Sequence, residues 1–395
     1  MKFKDLIKIQ DGKISVDWNL VDTIDDFKLL KSTPQTPEWH AEGDAYVHTV
    51  NVVNEMIKIL KTRKLTDNYE YALMMSAAAL CHDLGKGPTT KVDASTGEII
   101  TKRHGQASDR IVRTLFQDES LELRENVCYM CRWHMTMHHI FDKPERTDYA
   151  LVKLSCGPVT VRDMIIMYTA DSLGSVNSET PAYVASRAKM MEEAALKLGC
   201  LSSMYPFKST WHRLEFFANH DAKSYLHPDD VRDILSDNVN SYTVYMMVGV
   251  PGSGKDYAIN NMLPGNPVQV CRDLIRTEIG IAGEKPMGTK SQEDDVTAIF
   301  NTRMDEYLKN ATTFVINNTN VRKMYRTQFL QKILPYNPRI VYVYCEAPSL
   351  DESKKRRERM MPTKVIDRMW NDLDFPDKTE YSEIIYNVQR VQEDN

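Results

Sequence analysis

The chain has 395 residues, 42% hydrophobic and 27% charged, with a formal net charge of −5. That length gives room for two or three domains with cores of their own, and that composition excludes wholesale disorder. A negative balance excludes overall basicity as an argument for nucleic-acid binding and leaves one local basic run, Lys354-Lys355-Arg356-Arg357, as either a binding patch or a solvated helix face.

Residues 1–30 read as a short strand or hairpin followed by a helix from Trp18 to Leu30, and 31–44 as irregular chain around Pro34 and Pro37. From His48 to Lys61, Val50, Val53, Met56, Ile57 and Leu60 recur at helical spacing. A second helix is expected from Asn68 to Asp83, stopped by Gly85 and Gly87, and a hairpin at 89–101 turned on Thr96-Gly97. Helices follow at 103–116, 120–139, 159–172 and 181–198, so the first part of the chain reads as an all-α domain over 1–200. Residues 201–241 lose periodicity and read as a helical connection, with pieces at 209–219 and 228–236. Beyond 242 the pattern changes. Short β-rich runs (243–249, 266–271, 312–318, 339–345) alternate with helical stretches (255–262, 290–309, 320–333, 349–360, 362–373), which predicts an α/β domain over 242–395 with a mainly parallel sheet.

The N-terminus, Met-Lys-Phe-Lys-Asp, lacks the apolar segment of a signal peptide, and no apolar run is long enough for a membrane span. The seven cysteines are scattered and odd in number, so a reducing, cytoplasmic setting and no membrane partner are expected. Cys128-x-x-Cys131 has the spacing of a metal or redox half-site, but it has no second pair and sits in a helical pattern, which favours buried structural thiols.

Seven of the ten histidines lie between 40 and 139 (His40, His48, His82, His104, His134, His138 and His139). An adjacent pair such as His82-Asp83 does not share a helix face, but at a helix end it can serve one metal or let the carboxylate bridge two. Imidazoles and carboxylates from several helices suit one or two divalent transition metals, which would supply hydroxide near neutrality. Lys86, one turn on, is placed for a phosphate oxygen. The order His48, His82-Asp83, His104, His134, Asp171 is similar to the HD phosphohydrolase superfamily, an all-helical metal-dependent fold. The stretch Thr36-Pro-Glu-Trp-His-Ala-Glu-Gly-Asp-Ala-Tyr-Val-His48-Thr resembles the HD domain attached to bacterial tRNA nucleotidyltransferases, which acts on 2′,3′-cyclic phosphates and 2′-phosphates of RNA. The resemblance implies His48, His82, Asp83 and Asp171 as core metal ligands and His104 and His134 as the extra ligands of two-metal members. Thr169-Ala-Asp171-Ser-Leu-Gly174 resembles the closing motif of that subgroup. His138 is a further candidate for the cleft, and His40, Glu42 and Asp44 for substrate or for partners of the ligands.

The second chemistry begins at Val244–Val248, an apolar run that empties into Gly249-x-x-Gly252-Ser253-Gly254-Lys255. Strand, glycine loop and helix in that order cradle phosphate: backbone N–H groups turn inward, and Lys255 reaches the β/γ-phosphates of ATP or another NTP. The next residue is Asp256 where Ser or Thr is usual, and its carboxylate is itself a Mg²⁺ ligand. Asp273 falls at the end of the next apolar run, on the ligand side of a parallel sheet, placed to take a proton from a hydroxyl; Arg276 is one turn further, placed for an acceptor phosphate. Arg272-Asp273-x-x-Arg276 resembles the bacteriophage polynucleotide 5′-kinase, which implies Asp273 as general base. Val315-Ile-Asn-Asn-Thr-Asn320 resembles that family's strand ending in Asp-Thr-Asn, with Asn318 where the acid stands, and Lys354–Arg359 resembles its lid, whose arginine clamps the ATP phosphates, leaving Arg356 and Arg359 both as candidates for that arginine.

Together the two halves resemble the bifunctional HD–polynucleotide kinase family that heals RNA ends. The resemblance implies that the first domain removes a 2′,3′-cyclic phosphate or 2′-phosphate, and that the second moves an NTP γ-phosphate onto a 5′-OH of RNA or DNA. Two other readings stand beside it: an HD nucleotidase fused to a small-molecule kinase, and a non-catalytic, ATP-gated RNA-binding module.

Overall fold

The computed structural model describes residues 1–176, 179–221, 223–231, 241–281, 288–357 and 361–388. The chain divides into two compact units, Met1–Pro206 and Phe207–Asn395.

The first unit is helical. It opens on an antiparallel hairpin, β1 (Ile7–Gln10) and β2 (Lys13–Val16). Asp11 and Gly12 between them both take positive φ (50° and 68°), the pairing that lets a two-residue turn follow strand twist. The expected helix from Trp18 to Leu30 is broken into Trp18–Val21 and Asp25–Leu30, the first started by Asp17 accepting from the Leu20 N–H. Helix Ala45–Thr62 starts where the Asp44 carboxylate caps the Val47 N–H, so Asp44 has a structural task. Helix Tyr69–Cys81 is buried continuously from Ala72 onward, because small Ala and Ser side chains let its neighbours close around it on every side. Around it stand His104–Leu115, Leu121–His138, Val161–Gly174 and Pro181–Lys197. A second antiparallel hairpin, β3 (Thr90–Val92) and β4 (Ile99–Thr101), fills the 89–101 stretch. Helix Thr147–Ser155 falls where no element is expected; nine residues with Leu151, Val152 and Leu154 buried are too few to display a period clearly.

The second unit is a five-stranded parallel sheet in the order β6–β7–β5–β8–β9, with β5 Thr243–Val248, β6 Val268–Val270, β7 Phe314–Ile316, β8 Arg339–Glu346 and β9 Glu383–Val388. Strand residues alternate between two faces. Val244, Met246, Ile316, Tyr342 and Tyr344 pack with Phe300, Met304 and Leu330 on one side; Tyr245, Met247, Val315, Val341 and Val343 pack with Ala258 and Ile259 on the other. The chain leaves β5 and β8 in opposite directions, so the crevice between their carboxyl ends is a switch point of the kind where α/β sheets bind ligands. β9 has no counterpart among the expected runs: its middle is only half-buried, and an edge strand shows a weak apolar signal.

The stretch 201–241 is shared between the units. Helix Thr210–Asn219 lies within the second, where Trp211 Nε1 donates to Leu334 O at 2.9 Å and Gln331 Nε2 donates to Ala218 O at 2.7 Å. The helical piece expected at 228–236 is a single 3₁₀ turn, Pro228–Asp230, up to where the described residues stop.

Arg326 is fully buried in this unit. Its guanidinium donates to both Glu380 oxygens (2.7 and 3.1 Å) and to the carbonyls of Asn320 and Val321, the chain that follows β7. Replacing it with Met would strand a buried carboxylate, which Lys323 at 3.4 Å only partly answers. Arg326→Met is expected to cost about 3 kcal/mol in urea unfolding of the second unit; a cost under about 1 kcal/mol would show that Glu380 reaches water instead.

All seven cysteines are buried and free. Burial drives the Cys128 and Cys131 thiols well above their ordinary range, so they sit as neutral core groups.

Candidate active sites

In the first unit five helices or helix ends deliver one side chain set to one point. His48 comes from the first turn of Ala45–Thr62, and His82 and Asp83 from the end of Tyr69–Cys81. His104 opens its own helix, while His134 and Asp171 come from Leu121–His138 and Val161–Gly174. Asp83 stands between two groups of imidazoles. Its Oδ2 lies 3.2 Å from His82 Nε2 and 3.5 Å from His48 Nε2; its Oδ1 lies 3.4 Å from His104 Nε2 and 3.6 Å from His134 Nε2. Asp171 Oδ1 joins the first group, 3.0 Å from His48 Nε2.

The outer nitrogens explain why these faces point inward. His82 Nδ1 faces Ala79 O at 2.9 Å, His134 Nδ1 faces Cys131 O at 2.8 Å, and His48 Nδ1 faces Glu42 Oε1 at 2.9 Å. Each partner accepts a proton, so Nδ1 carries a hydrogen and Nε2 is the nitrogen that faces the centre. The same arrangement leaves the centre short of positive charge. Neither oxygen of buried Asp83 has an aligned hydrogen-bond donor; Lys86 Nζ stands 2.7 Å from Oδ2 as a charge contact only. His104 Nε2 and His134 Nε2 face each other at 3.1 Å, and burial pushes their pKa values down to about 4 and about 3, so both are neutral acceptors. Burial also works against a charge on His82, but Asp83 and Asp171 outweigh it and lift it to about 10. In the absence of metal, His82 and Lys86 thus supply the positive charge that Asp83 and Asp171 require, a place that bound cations would take. Among the described residues, those within ligand range of one another form the groups His40–Glu42–His48, His48–His82–Asp83 and Asp83–His104–His134; the last two share Asp83, and their donors suit divalent metals.

Three glycines set the spacing. A Cβ at Gly85 would stand 2.1 Å from His104 O, one at Gly105 would stand 2.6 Å from Arg132 O, and one at Gly174 would stand 2.8 Å from the Val52 N. Each lies one to three residues from a ligand and lets its helix touch the backbone of the helix carrying another ligand.

A cleft of about 560 Å³ opens onto the cluster, lined by Lys86, His40, His138, Trp39 and Arg187. Lys86 Nζ also donates to Gln35 Oε1 at 2.6 Å, which holds the ammonium at the cleft's edge. Glu42 is more central than its sequence position suggests. Its buried carboxylate takes His40 and His48 at 2.9 Å each and the Val176 N–H at 2.8 Å; burial opposes its ionised form, but these partners hold it well below the usual carboxylate range. His138 and His139 both line the cleft: His138 Nε2 meets Asp171 Oδ2 at 3.0 Å, while His139 is exposed and pairs with Asp142. Trp39, 60% exposed where it lines the cleft, lies in the stretch that carries the resemblance but has no role of its own there, and Arg187 carries no motif that sequence alone singles out.

In the second unit the glycine loop follows β5. Gly252 and Gly254 take φ of +80° and +85°, and a Cβ at Gly249 would stand 2.6 Å from Cys345 O. Lys255 Nζ donates back to the Gly249 and Val250 carbonyls at 3.1 and 3.0 Å. Part of its side chain stays accessible, yet desolvation of the ammonium lowers its pKa to about 8. Ser253 Oγ is buried without a partner, and Asn387 of β9 donates to Gly254 O at 3.1 Å. Arg356 Nη1 donates to Gly252 O at 3.0 Å and its Nε to Glu352, so it lies on the loop. Arg357, part of the basic run but not one of the two arginines expected as the clamp, also approaches Gly252. Arg359 lies outside the described residues.

Asp273 sits exposed in the first turn of Arg272–Glu278, after β6. Arg276 Nη1 holds it at 2.6 Å, but Arg276 is also gripped by both oxygens of Glu293 at 2.8 Å. Arg276 is thus tied to carboxylates in this state rather than open to an acceptor phosphate. Asp256 Oδ1 accepts from Asn317 Nδ2 at 3.2 Å, while Asn318 Oδ1 accepts from the Arg272 N–H at 3.4 Å. The residue facing Asp256 is Asn317, one before the position that the motif gives to the missing acid. The carboxylate of Asp256 and the orphaned Ser253 hydroxyl fit a nucleotide-bound Mg²⁺.

Comparison with known proteins agrees with this division. The HD domain family matches residues 47–173 and the AAA domain family matches residues 244–376. The chain carries an HD domain followed by a P-loop domain. A multifunctional CCA protein of Mannheimia succiniciproducens is 28% identical over 162 residues, covering 39% of this chain and 36% of that protein. Those of Pasteurella multocida and Vibrio parahaemolyticus are 26% and 25% identical over 161 and 163 residues. The chain spans only 36–37% of the length of these relatives. Among the described residues, no helix is long and apolar enough to cross a membrane.

Proposed function

We propose that the protein is a nucleic-acid-processing enzyme that prepares broken RNA ends for joining. The first unit removes a 2′,3′-cyclic phosphate or 2′-phosphate, and the second transfers the γ-phosphate of ATP or another NTP to a 5′-OH. The observation that carries the reading is Asp83, a buried carboxylate with each oxygen set between two imidazoles at the floor of an open cleft. Metals held there would lower the pKa of bound water and draw charge from a phosphate.

The chain's own residues do the rest. His48, His82, Asp83 and Asp171 would hold one metal position, and Asp83, His104 and His134 the other. Lys86 meets a phosphate oxygen, and Glu42 keeps His48 in the tautomer that ligates. In the second unit the loop from Gly249 to Lys255 cradles the NTP phosphates, and a lid arginine, Arg356 or Arg359, clamps them. Asp273 orients the 5′-hydroxyl and takes its proton; Arg276, once released from Glu293, holds an acceptor phosphate. The likeness to multifunctional CCA proteins supports an RNA substrate for the first unit. The predicted cytoplasmic setting accords with that substrate.

An RNA bearing a 5′-OH and a 2′,3′-cyclic phosphate, incubated with NTP and a panel of divalent metals, reads both ends at once. Phosphate loss at one end and gain at the other is the expected result. Transfer to mononucleosides with none to the RNA would favour a nucleotidase joined to a small-molecule kinase, a reading to which the engagement of Arg276 by Glu293 lends some support.

A further inference from the structure

P-loop domains ordinarily hold Mg²⁺ with a hydroxyl on the residue after the loop lysine and a carboxylate at the end of a neighbouring strand. Here both positions are changed. Asp256 follows Lys255, and β7, which pairs with β5 through Met246 and Ile316, runs out into Asn317. The two meet. Asn317 is buried, and its Nδ2 donates to Asp256 Oδ1 at 3.2 Å and to Gln269 Oε1 at 3.0 Å. The Asp256 carboxylate can only accept, so it assigns the amide nitrogen of Asn317 to this side and turns Oδ1 the other way. The backbone pins the residue as well, through Asn317 N to Val270 O at 3.0 Å.

The two positions are therefore coupled. A carboxylate at 317 would stand against the Asp256 carboxylate at hydrogen-bond distance, and like charges that close disfavour one another. A hydroxyl at 256 beside the amide at 317 would leave the pair with no charge for a cation. Only a mixed pair keeps one carboxylate. Resting on the reading of this unit as a nucleotide-binding domain, we propose that the metal-holding charge has exchanged places: the Asp256 carboxylate on the loop helix and the Asn317 amide at the strand end act as one unit toward nucleotide-bound Mg²⁺, in place of the usual hydroxyl and carboxylate.

Calorimetric titration of the full chain with ATP, with and without MgCl₂, tests this on wild type, Asp256→Ser, Asn317→Asp and the double variant D256S/N317D. Wild type is expected to bind ATP more tightly with Mg²⁺. Asp256→Ser should lose that gain, binding about 10-fold more weakly in Mg²⁺ and unchanged without it, and Asn317→Asp should also lose it. The double variant should recover to within about threefold of wild type, so that the two losses cancel rather than add. Additive losses, an Asp256→Ser protein that keeps the full Mg²⁺ gain, or a wild type without one would overturn the proposal. Unliganded melting temperatures control for folding. If the pattern holds but no phosphate reaches a 5′-OH, the end-healing reading fails and the exchange stands. Transfer to a 5′-OH without the pattern overturns the exchange and leaves end-healing standing.

Discussion

Asp83→Ala is expected to abolish phosphate removal from RNA ends, with a loss of at least about 10³-fold, while leaving transfer to the 5′-OH at the wild-type rate. The size follows from the bridging position. Every other ligand touches one of the two imidazole groups, but Asp83 touches both, at 3.2 to 3.6 Å. Without it four inward-facing nitrogens remain with only Asp171 for charge, and two cations so close would repel unscreened. Direct metal analysis of the purified variant should show loss of bound divalent metal. Chelation of the wild type should reproduce the loss of phosphate removal, and re-addition of metal should reverse it for wild type only. Retained phosphate removal by Asp83→Ala would mean that the cluster is structural.

Lys255→Ala and Asp273→Asn are expected to do the reverse, each reducing 5′-transfer by about 10³-fold with phosphate removal intact. The two should separate in binding. Lys255 occupies the loop itself, bonded to the Gly249 and Val250 carbonyls, so its loss should weaken ATP as well as slow transfer. Asp273 is exposed and its carboxylate is held by Arg276, so its amide should leave ATP affinity unchanged and slow the transfer step alone. ATP titration beside single-turnover transfer distinguishes the pair. An Asp273→Asn protein that transfers at the wild-type rate would remove it as the base.

Much of this is legible in the sequence because it depends on residue type and local period. The ligands announce themselves as histidines and aspartates too concentrated for chance, and the glycine loop is a contiguous motif after an apolar strand. What escapes depends on contacts between distant segments. Glu42 can be named as a candidate, but its grip on both His40 and His48 requires the 36–44 turn to fold over the helix it precedes. Asn317 rather than Asn318 meets Asp256 because side chains alternate at a strand's end, and a one-residue shift changes which face each occupies. The tie between Arg276 and Glu293 spans 17 residues and crosses a segment outside the described residues. Helix Thr147–Ser155 and β9 stay hidden for the plainer reason that short or edge elements bury too few residues to show a pattern.

The glycines at 85, 105 and 174 bear on a property that the ligand set alone leaves open, the ionic radius the site accepts. Imidazole and carboxylate bind manganese, iron, cobalt, nickel and zinc alike, and differ mainly in how strongly. What separates these ions in a rigid cage is bond length, and at each of these positions an added Cβ would meet neighbouring backbone, His104 O at 2.1 Å, Arg132 O at 2.6 Å and Val52 N at 2.8 Å. For the proposed metal site, a Gly→Ala change at any of the three, positions that bind nothing themselves, is therefore expected to shift the preference among cations.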